Sequence, residues 1–316
     1  MTPVFLTVDT EIAWRHHAAG LEMPTLFERS IEPAGVGIGY QLRQLARYGL
    51  KACFFVDPMP ALLFGLEPFR RLIGTIREAG QEVQLHLHPN WTGARADDQG
   101  RSHARFEMVE YTEEDQEALI SGARDLLVAA GAEAPVAYRS GSYAANDATL
   151  RALHRLGLKY DSSHNGAEHP WPSLIDLPVR QIAPVARHGV IEVPVTVIED
   201  RPGSLRNFQI CALSSGEMQA ALEHAAEQDH AAVTIVSHSF ELANRSGTRP
   251  NSVHVRRFEA LCTMLAERMG SMPTMHFADA DLRLDSPDVP LGPSPLRSSW
   301  RQAEQLWSNV IEERAA

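Results

Sequence analysis

The chain has few cysteines, no long apolar run and fewer basic than acidic residues. Its three cysteines, Cys53, Cys211 and Cys262, form no Cys-x-x-Cys pair, which argues against a disulfide framework and against a thiolate zinc site. No apolar stretch reaches the roughly 18 residues that a transmembrane helix needs. The 29 Lys and Arg against 40 Asp and Glu give a net charge of −11, so the basic surface of a nucleic-acid-binding protein is not expected.

What the chain does contain is ordinary for a soluble globular protein. It has 316 residues, 44% of them hydrophobic and 22% charged, which is enough to bury a large core in one domain. Met1-Thr2-Pro3-Val4 leads directly into an apolar run, without the basic segment that opens a secretory signal. We therefore expect a cytoplasmic protein without a membrane span.

Strand and helix signals alternate along the chain. Short apolar runs predict strands near 4–8, 50–56, 82–88, 136–138, 158–162, 190–198, 232–237 and 274–277. Helical spacing predicts helices near 33–48, 68–79, 112–130, 147–156, 214–228 and 253–269. This alternation predicts an α/β fold with parallel strands and outer helices, and the number of strands favours a (β/α)7–8 barrel over a flat sheet.

The C-terminal region differs from the rest. Its prolines at 287, 290, 293 and 295 predict a linker over 285–298, after a barrel domain spanning 1–284. Residues 299–316 then predict an amphipathic helix whose apolar face carries Trp300, Ala303, Trp307, Val310 and Ile311. We expect this face to pack back on the barrel. The alternative is that it docks a partner or a second subunit of a homo-oligomer.

Polar residues end four of the predicted strands. The segments are Thr7-Val8-Asp9-Thr10-Glu11, Gln84-Leu85-His86-Leu87-His88-Pro89, Tyr138-Arg139-Ser140-Gly141-Ser142-Tyr143 and Ile235-Val236-Ser237-His238-Ser239. In a parallel barrel the carboxyl ends of the strands meet at one mouth, where active sites lie. These segments are therefore the candidate site. The polar stretch 89–111 predicts a long loop beside it.

His86 and His88 stand two residues apart on a predicted strand. Residues i and i+2 of a strand point to the same side, so both imidazoles can bind one divalent metal ion. A carboxylate from a neighbouring strand would complete three ligands and leave a position for water, as in catalytic zinc sites. The alternative is a pair of histidines at a hydrated strand end.

The other strand-end residues fit the remaining roles of a metal hydrolase. Asp9 and Glu11 share a face and can serve as base and metal ligand. Arg139 can hold the base ionised, the backbone N–H of Tyr143 can donate to an oxyanion, and His238 can protonate a leaving amine. The alternatives are a capping acid pair, a surface ion pair and a core histidine.

Taken together, these segments resemble the polysaccharide deacetylases of carbohydrate esterase family 4, which share the NodB-type homology domain. The acidic, His-Pro, Arg–Tyr and late His motifs of that family correspond to the four segments above, and its Asp motif corresponds to Asp161-Ser162-Ser163. Order and approximate spacing agree from residue 3 to about residue 280. The resemblance implies a distorted (β/α) barrel and a hydrolase that removes N-acetyl groups from a sugar or polysaccharide with a divalent metal, often Zn²⁺.

The acidic motif departs from the family pattern. Thr10 stands where the family has its second, metal-binding aspartate, and Glu11 is the next acid. By analogy with members that have Asp-x-Asp or Asp-x-Glu, we assign Asp9 as the base and Glu11 as the ligand. Asp9 as the ligand is the alternative.

The histidine motif departs as well. Gln84 occupies the place of the earlier family histidine, and we expect His86 to substitute for it beside His88. The variant is similar to the branch linked to lipopolysaccharide and exopolysaccharide assembly. Trp91 in the loop could stack on a sugar ring. Two rival functions are an amidohydrolase of a small non-sugar C–N substrate and a catalytically inactive carbohydrate-binding homologue.

Overall fold

A computed structural model describes residues 1–94 and 104–313, so part of the predicted loop and the last three residues of the predicted C-terminal helix lie outside the described residues. The strands are β1 Val4–Thr10, β2 Cys53–Val56, β3 Glu82–Leu87, β4 Ala137–Ser140, β5 Tyr160–Asp161, β6 Val185–Arg187, β7 Val190–Glu192, β8 Val197–Arg201, β9 Ser204–Asn207 and β10 Val233–His238. The helices are α1 Trp14–Ala18, α2 Thr25–Ile31, α3 Ile38–Tyr48, α4 Ala61–Phe64, α5 Glu67–Glu78, α6 Glu113–Ala129, α7 Asp147–Arg155, α8 Ser215–Glu227, α9 Ser252–Glu267 and α10 Pro295–Trp307.

Eight of the strands form one curled sheet in the order β10-β1-β2-β3-β4-β5-β7-β6, and β8 and β9 form a separate hairpin. All neighbours in the large sheet are parallel except β6, which runs antiparallel to β7 at the edge. The free side of β10 is covered, since the backbone N–H groups of Thr196 and Ile210 donate to Thr234 and Val236. This architecture confirms the predicted α/β fold and its distorted (β/α) barrel.

Alternation along the strands divides the core into two layers. In β1, Val4, Leu6 and Val8 belong to the large cluster shared with the surrounding helices. Phe5 belongs instead to a smaller cluster inside the sheet, and Thr7 and Asp9 follow on that inner side. The strand period of two thus places apolar residues against the helices and leads the inner row toward the mouth.

Aromatic rings close the lower end of the barrel interior, which we call the barrel floor: Phe5, Phe55, Tyr160 and Phe277. Phe277 joins them, with ring centroids 4.4 Å from Phe5 and 5.6 Å from Phe55 and Tyr160. All four rings are at most 1% exposed. The floor is therefore a packed apolar layer beneath the polar strand ends.

Two predicted strands differ in the structure. The predicted strand 190–198 is divided into β7 and β8, because Pro194 between them has no N–H for a ladder. The predicted strand 274–277 is only an isolated bridge between Thr274 and Val4. It ends there because the Glu82 carboxylate accepts the N–H groups of Phe277 and Ala278 at 2.8 Å and turns the chain into a 3-10 helix.

The C-terminal helix α10 packs on the barrel through its polar side. Arg301 is 4% exposed and its guanidinium donates to Asp200 at 2.6 Å and to Glu217 at 3.1 Å. The apolar face points away from the barrel, with Trp300 66% exposed and Trp307 57% exposed. The expectation that the apolar face packs back on the barrel is therefore wrong, because buried ion pairs fix the opposite face. The helix also begins at Pro295, earlier than predicted.

Candidate active site

The carboxyl ends of the strands open into a cavity of about 770 Å³. Glu11 and His88 lie on its wall beside the aromatic rings of Trp14, Trp91 and Phe240. Residues 305–313 after the barrel also contribute, so α10 and the π-helical turn that follows it form one side of this cavity.

Glu11, His86 and His88 converge at this mouth. One ligand atom from each lies within 4.8 Å of the other two, as a shared metal ion requires. The Nε2 atom of His86 lies 3.3 Å from Oε2 of Glu11, and Nε2 of His88 contacts the same oxygen. The two Nε2 atoms and the carboxylate thus face one point.

Neighbouring groups fix both imidazoles. Nδ1 of His86 lies 2.8 Å from the carbonyl oxygen of Arg139, its register partner on β4, so Nδ1 donates and Nε2 is left for a ligand. His88 lies against Gly141, where an added Cβ would approach Nδ1 of the ring to 2.3 Å. Only glycine fits at this point of the loop, because any side chain would displace the His88 ring.

The charges of the three residues are coupled. Burial raises the pKa of Glu11, but the charge of His88 and hydrogen bonds from both imidazoles outweigh burial and hold that pKa well below its usual value. Burial lowers the pKa of His88, but the Glu11 carboxylate overrides it and raises the pKa to about 9. A metal ion would have to displace the proton of His88, so binding should weaken as the pH falls.

Asp9 lies beside this group in a buried pair with Arg139. Nη1 of Arg139 donates to Oδ1 of Asp9 and to Thr7, both at 2.7 Å, and the two charged side chains are 0% and 3% exposed. Nη2 of Arg139 donates to Oγ of Ser162 at 3.0 Å, and the guanidinium lies 4.5 Å above the Phe55 ring of the floor. These contacts leave Oδ2 of Asp9 directed to the site.

His238 follows as the register partner of Asp9 on β10, and its Nε2 lies 3.9 Å from Oδ2 of Asp9. Glu241 holds it from behind, because Oε2 of Glu241 accepts the backbone N–H of His238 at 2.9 Å and lies 3.7 Å from Nδ1. Burial lowers the pKa of His238, but the hydrogen bond and charge of Glu241 outweigh it and raise the pKa to about 9. The Glu241 carboxylate thus favours the protonated form of the His238 imidazole.

Tyr143 lies in a strained turn after β4. Ser142 and Tyr143 have φ values of +54° and +59°, in the left-handed region that non-glycine residues seldom adopt. Among the described residues, no acceptor takes the backbone N–H of Tyr143. Strain of this kind is typical of functional sites, and the free N–H is available to a ligand.

Two acids of the site were not predicted from the sequence. Asp57 follows β2 as Asp9 ends β1, and its Oδ2 is buried without a partner among the described residues. Burial raises its pKa to about 6, against the charges of His88 and His86. The rule that selects polar residues after apolar strands would have found Asp57. Glu241 carries no such signal, because only the turn after β10 brings it back to His238.

The structure also places three other sequence candidates. Trp91 is 1% exposed, with its ring 5.1 Å from that of Trp14, but it lines the cavity, so its contact with a sugar stays a prediction. Oε1 of Gln84 accepts the backbone N–H groups of Val136 and Ala137. Asp161 is buried beside Ser163, whose hydroxyl donates to it at 2.7 Å.

No sequence-family profile and no curated protein sequence matches the chain. Solved structures do match. A protein from Mycobacterium smegmatis assigned as a polysaccharide deacetylase superposes with a TM-score of 0.54 over 89% of this chain and 95% of the other, at 19% sequence identity. The fold is that of the polysaccharide deacetylases.

Two further structures extend this comparison. The 4-alpha-glucanotransferase of Thermococcus litoralis matches with a TM-score of 0.52 and 9% identity, over 89% of this chain and 41% of its own. A family 4 carbohydrate esterase from Streptomyces lividans, in complex with acetate, matches with a TM-score of 0.44 and 12% identity, over 91% and 98%. At such identities the likeness extends to the fold alone, so the reaction has to be argued from the site.

Proposed function

We propose that the protein is a metal-dependent hydrolase of the carbohydrate esterase 4 type, which removes N-acetyl groups from a sugar or polysaccharide. One observation carries this proposal. A group with the geometry of a metal site, Glu11, His86 and His88, lies directly beside a buried Asp9–Arg139 pair and the imidazole of His238. A protein that only binds sugar needs neither a buried carboxylate–guanidinium pair nor a proton donor. The polysaccharide deacetylase fold supports the same reaction.

The three converging side chains fit a divalent metal ion. Two imidazole Nε2 atoms and one carboxylate oxygen are the donors that Zn²⁺ takes in catalytic sites, and they leave a position open for water. The second nitrogen of His86 is occupied by a backbone carbonyl, as is usual for metal-binding histidines. We propose Zn²⁺. When bound, such an ion polarises a carbonyl group and lowers the pKa of bound water.

The other residues then divide the proton transfers of amide hydrolysis. Asp9 takes a proton from the attacking water, and Arg139 holds its carboxylate in place through Oδ1. The backbone N–H of Tyr143 donates to the developing oxyanion. His238, kept protonated by Glu241, gives its proton to the leaving nitrogen of the sugar. Nε2 of His238 lies 3.9 Å from Oδ2 of Asp9, so both groups can reach the same reacting centre.

Two variants separate the base from the ligands. Asp9→Asn should reduce turnover by about 1,000-fold, because a general base is lost, while bound metal is largely retained. His88→Ala should lose the metal together with activity. Acetate released from N-acetylated oligosaccharides and metal content by mass spectrometry measure both. Equal metal loss in the two variants would reverse the assignment of Asp9 and Glu11, and no acetate from any N-acetyl sugar would refute the deacetylase proposal.

Several finer statements stay predictions. A lipopolysaccharide or exopolysaccharide substrate, the cytoplasmic location and the division at residues 285–298 rest on the sequence alone. In the described part of the chain, no helix is long and apolar enough to cross a membrane. A homo-oligomer formed through the C-terminal helix also stays a prediction. Trp300 and Trp307 are exposed on that helix, and analytical ultracentrifugation of variants at these two positions would test it.

A further inference from the structure

A cation with unused hydrogen-bond donors lies in the wall of the catalytic cavity. Arg15 is on α1, four residues after the metal-site residue Glu11, and is half-buried. Its Nε donates to the carbonyl oxygen of Arg245 at 2.9 Å. An arginine side chain has further N–H groups on both Nη atoms, and none of those on Arg15 has a partner within residues 1–94 and 104–313.

The nearby carboxylates do not neutralise Arg15 by contact. Glu11 is held by the two histidines, and neither carboxylate oxygen forms an ion pair with Arg15. Glu313 accepts the backbone N–H of Arg245 at 2.7 Å and an amide N–H of Asn251 at 3.2 Å. Both acids are thus used elsewhere. A guanidinium that is partly withdrawn from water without an ion-pair partner favours the arrival of an anion.

A second cation belongs to the same unit. Arg245 has an exposed side chain on the cavity wall. Its backbone is fixed on both sides, because its N–H donates to Glu313 and its carbonyl oxygen accepts from Arg15. The two arginines therefore lie at one side of the cavity mouth, in a chain whose net charge of −11 gives no general attraction for anions.

The position of Arg15 and Arg245 in the cavity indicates which half of the proposed substrate they would contact. The guanidinium carbon of Arg15 lies 4.6 Å from the ring centroid of Phe240, and the Phe240 ring lies 5.3 Å from the ring of His238. Arg15, Phe240 and His238 thus form a stack on one side of the cavity. Because His238 faces the leaving nitrogen in the proposed reaction, Arg15 lies on the side of the amine-bearing sugar and not of the acetyl group.

We propose that Arg15, with Arg245, binds a negatively charged group on the sugar half of the substrate, either a phosphoryl group or a carboxylate. The preferred substrate is then an acidic N-acetyl sugar and not a neutral one. This inference rests on the proposed deacetylase function for the orientation of the substrate, but the anion site itself does not depend on turnover.

The test compares three sugars: N-acetylglucosamine, its 6-phosphate, and N-acetylmuramic acid, which carries a carboxylate. We expect at least one acidic sugar to give a kcat/KM about 10- to 100-fold above the neutral sugar, as charge-assisted hydrogen bonds allow. Arg15→Gln should lower kcat/KM for the preferred acidic sugar about 10- to 100-fold more than for the neutral sugar, and bound metal, measured alongside, reports whether the site is intact. The better acidic sugar identifies the anion. Arg43→Gln is the matched control, because Arg43 also lies over a ring, that of Tyr40, but on α3.

Two results would overturn the anion site: equal kcat/KM for all three sugars, or a preference that survives Arg15→Gln. If no sugar releases acetate, the proposed function fails and calorimetry still decides the inference. Binding of the 6-phosphate about tenfold weaker in Arg15→Gln than in the wild type would support the site without catalysis. Equal binding in both would refute it.

Discussion

The two ends of the barrel interior are built from opposite chemistry. The floor holds four aromatic rings that pack on one another and on neighbouring apolar groups. The mouth, at the carboxyl ends of the same strands, holds charged side chains. Phe55 joins the two layers, because its ring lies under the guanidinium of Arg139. The floor thus shields the buried Asp9–Arg139 pair from water on one side. We therefore expect that substitutions in the two layers affect stability and catalysis separately.

The largest effect is expected at the boundary between the two layers. Arg139→Met leaves Asp9 as a buried carboxylate without a partner, which should cost about 3–5 kcal/mol in the free energy of unfolding. Arg139→Lys keeps the charge but not the two-pronged geometry toward Asp9 and Ser162. Its turnover should still fall about 100-fold, because the base is misplaced. Chemical denaturation and acetate release check both; full activity in Arg139→Lys would show that orientation of Asp9 is unimportant.

The next effect should fall on the metal alone. Gly141→Ala places a Cβ against the ring of His88, so the imidazole must move away from Glu11 and His86. A disturbed ligand environment of this kind should weaken metal binding by about 10- to 100-fold. Titration with Zn²⁺ against a competing chelator measures it. Gly122→Ala in α6, where no atom lies within 4 Å of the added Cβ, is the control and should bind normally.

The sequence predicts most of the polar mouth. Strand periodicity and the parallel arrangement placed Asp9, Glu11, His86, Arg139 and His238 at one mouth, and the structure brings them together. These rules work because side-chain direction and strand polarity are local properties of the chain.

The sequence did not predict what depends on contacts between distant segments. Glu241 reaches His238 only through a turn, and Arg15 reaches Arg245 across 230 residues. The apolar face of α10 suggested burial. Instead, Arg301 forms ion pairs with Asp200 and Glu217, about a hundred residues earlier in the chain, and these turn the polar face of the helix toward the barrel. Partners of that kind leave no periodic signal in the chain.

A smaller, pH-dependent effect is expected at Glu241. Because the pKa of His238 is raised to about 9, the imidazolium that we propose as the proton donor is present below that pH and is lost as the pH rises through it. Glu241→Gln removes the largest influence that raises the pKa of His238 and leaves burial, which lowers it, opposed only by the smaller effects of the Asp9 and Glu11 charges. The alkaline limb of kcat/KM should then move down by about two pH units or more, while rates near pH 6 change much less. An unchanged alkaline limb would exclude His238 as the acid.

The smallest effect on catalysis should come from the floor. Phe277→Leu removes the ring that contacts Phe5, Phe55 and Tyr160, and the smaller side chain should cost about 1–2 kcal/mol in the free energy of unfolding. Metal affinity and kcat should stay within about twofold, because Phe55 still covers Arg139 from below. Denaturation midpoints and acetate release test this. If kcat fell tenfold with the metal retained, the floor would be part of the catalytic geometry, and the separation between the two ends of the interior would not hold.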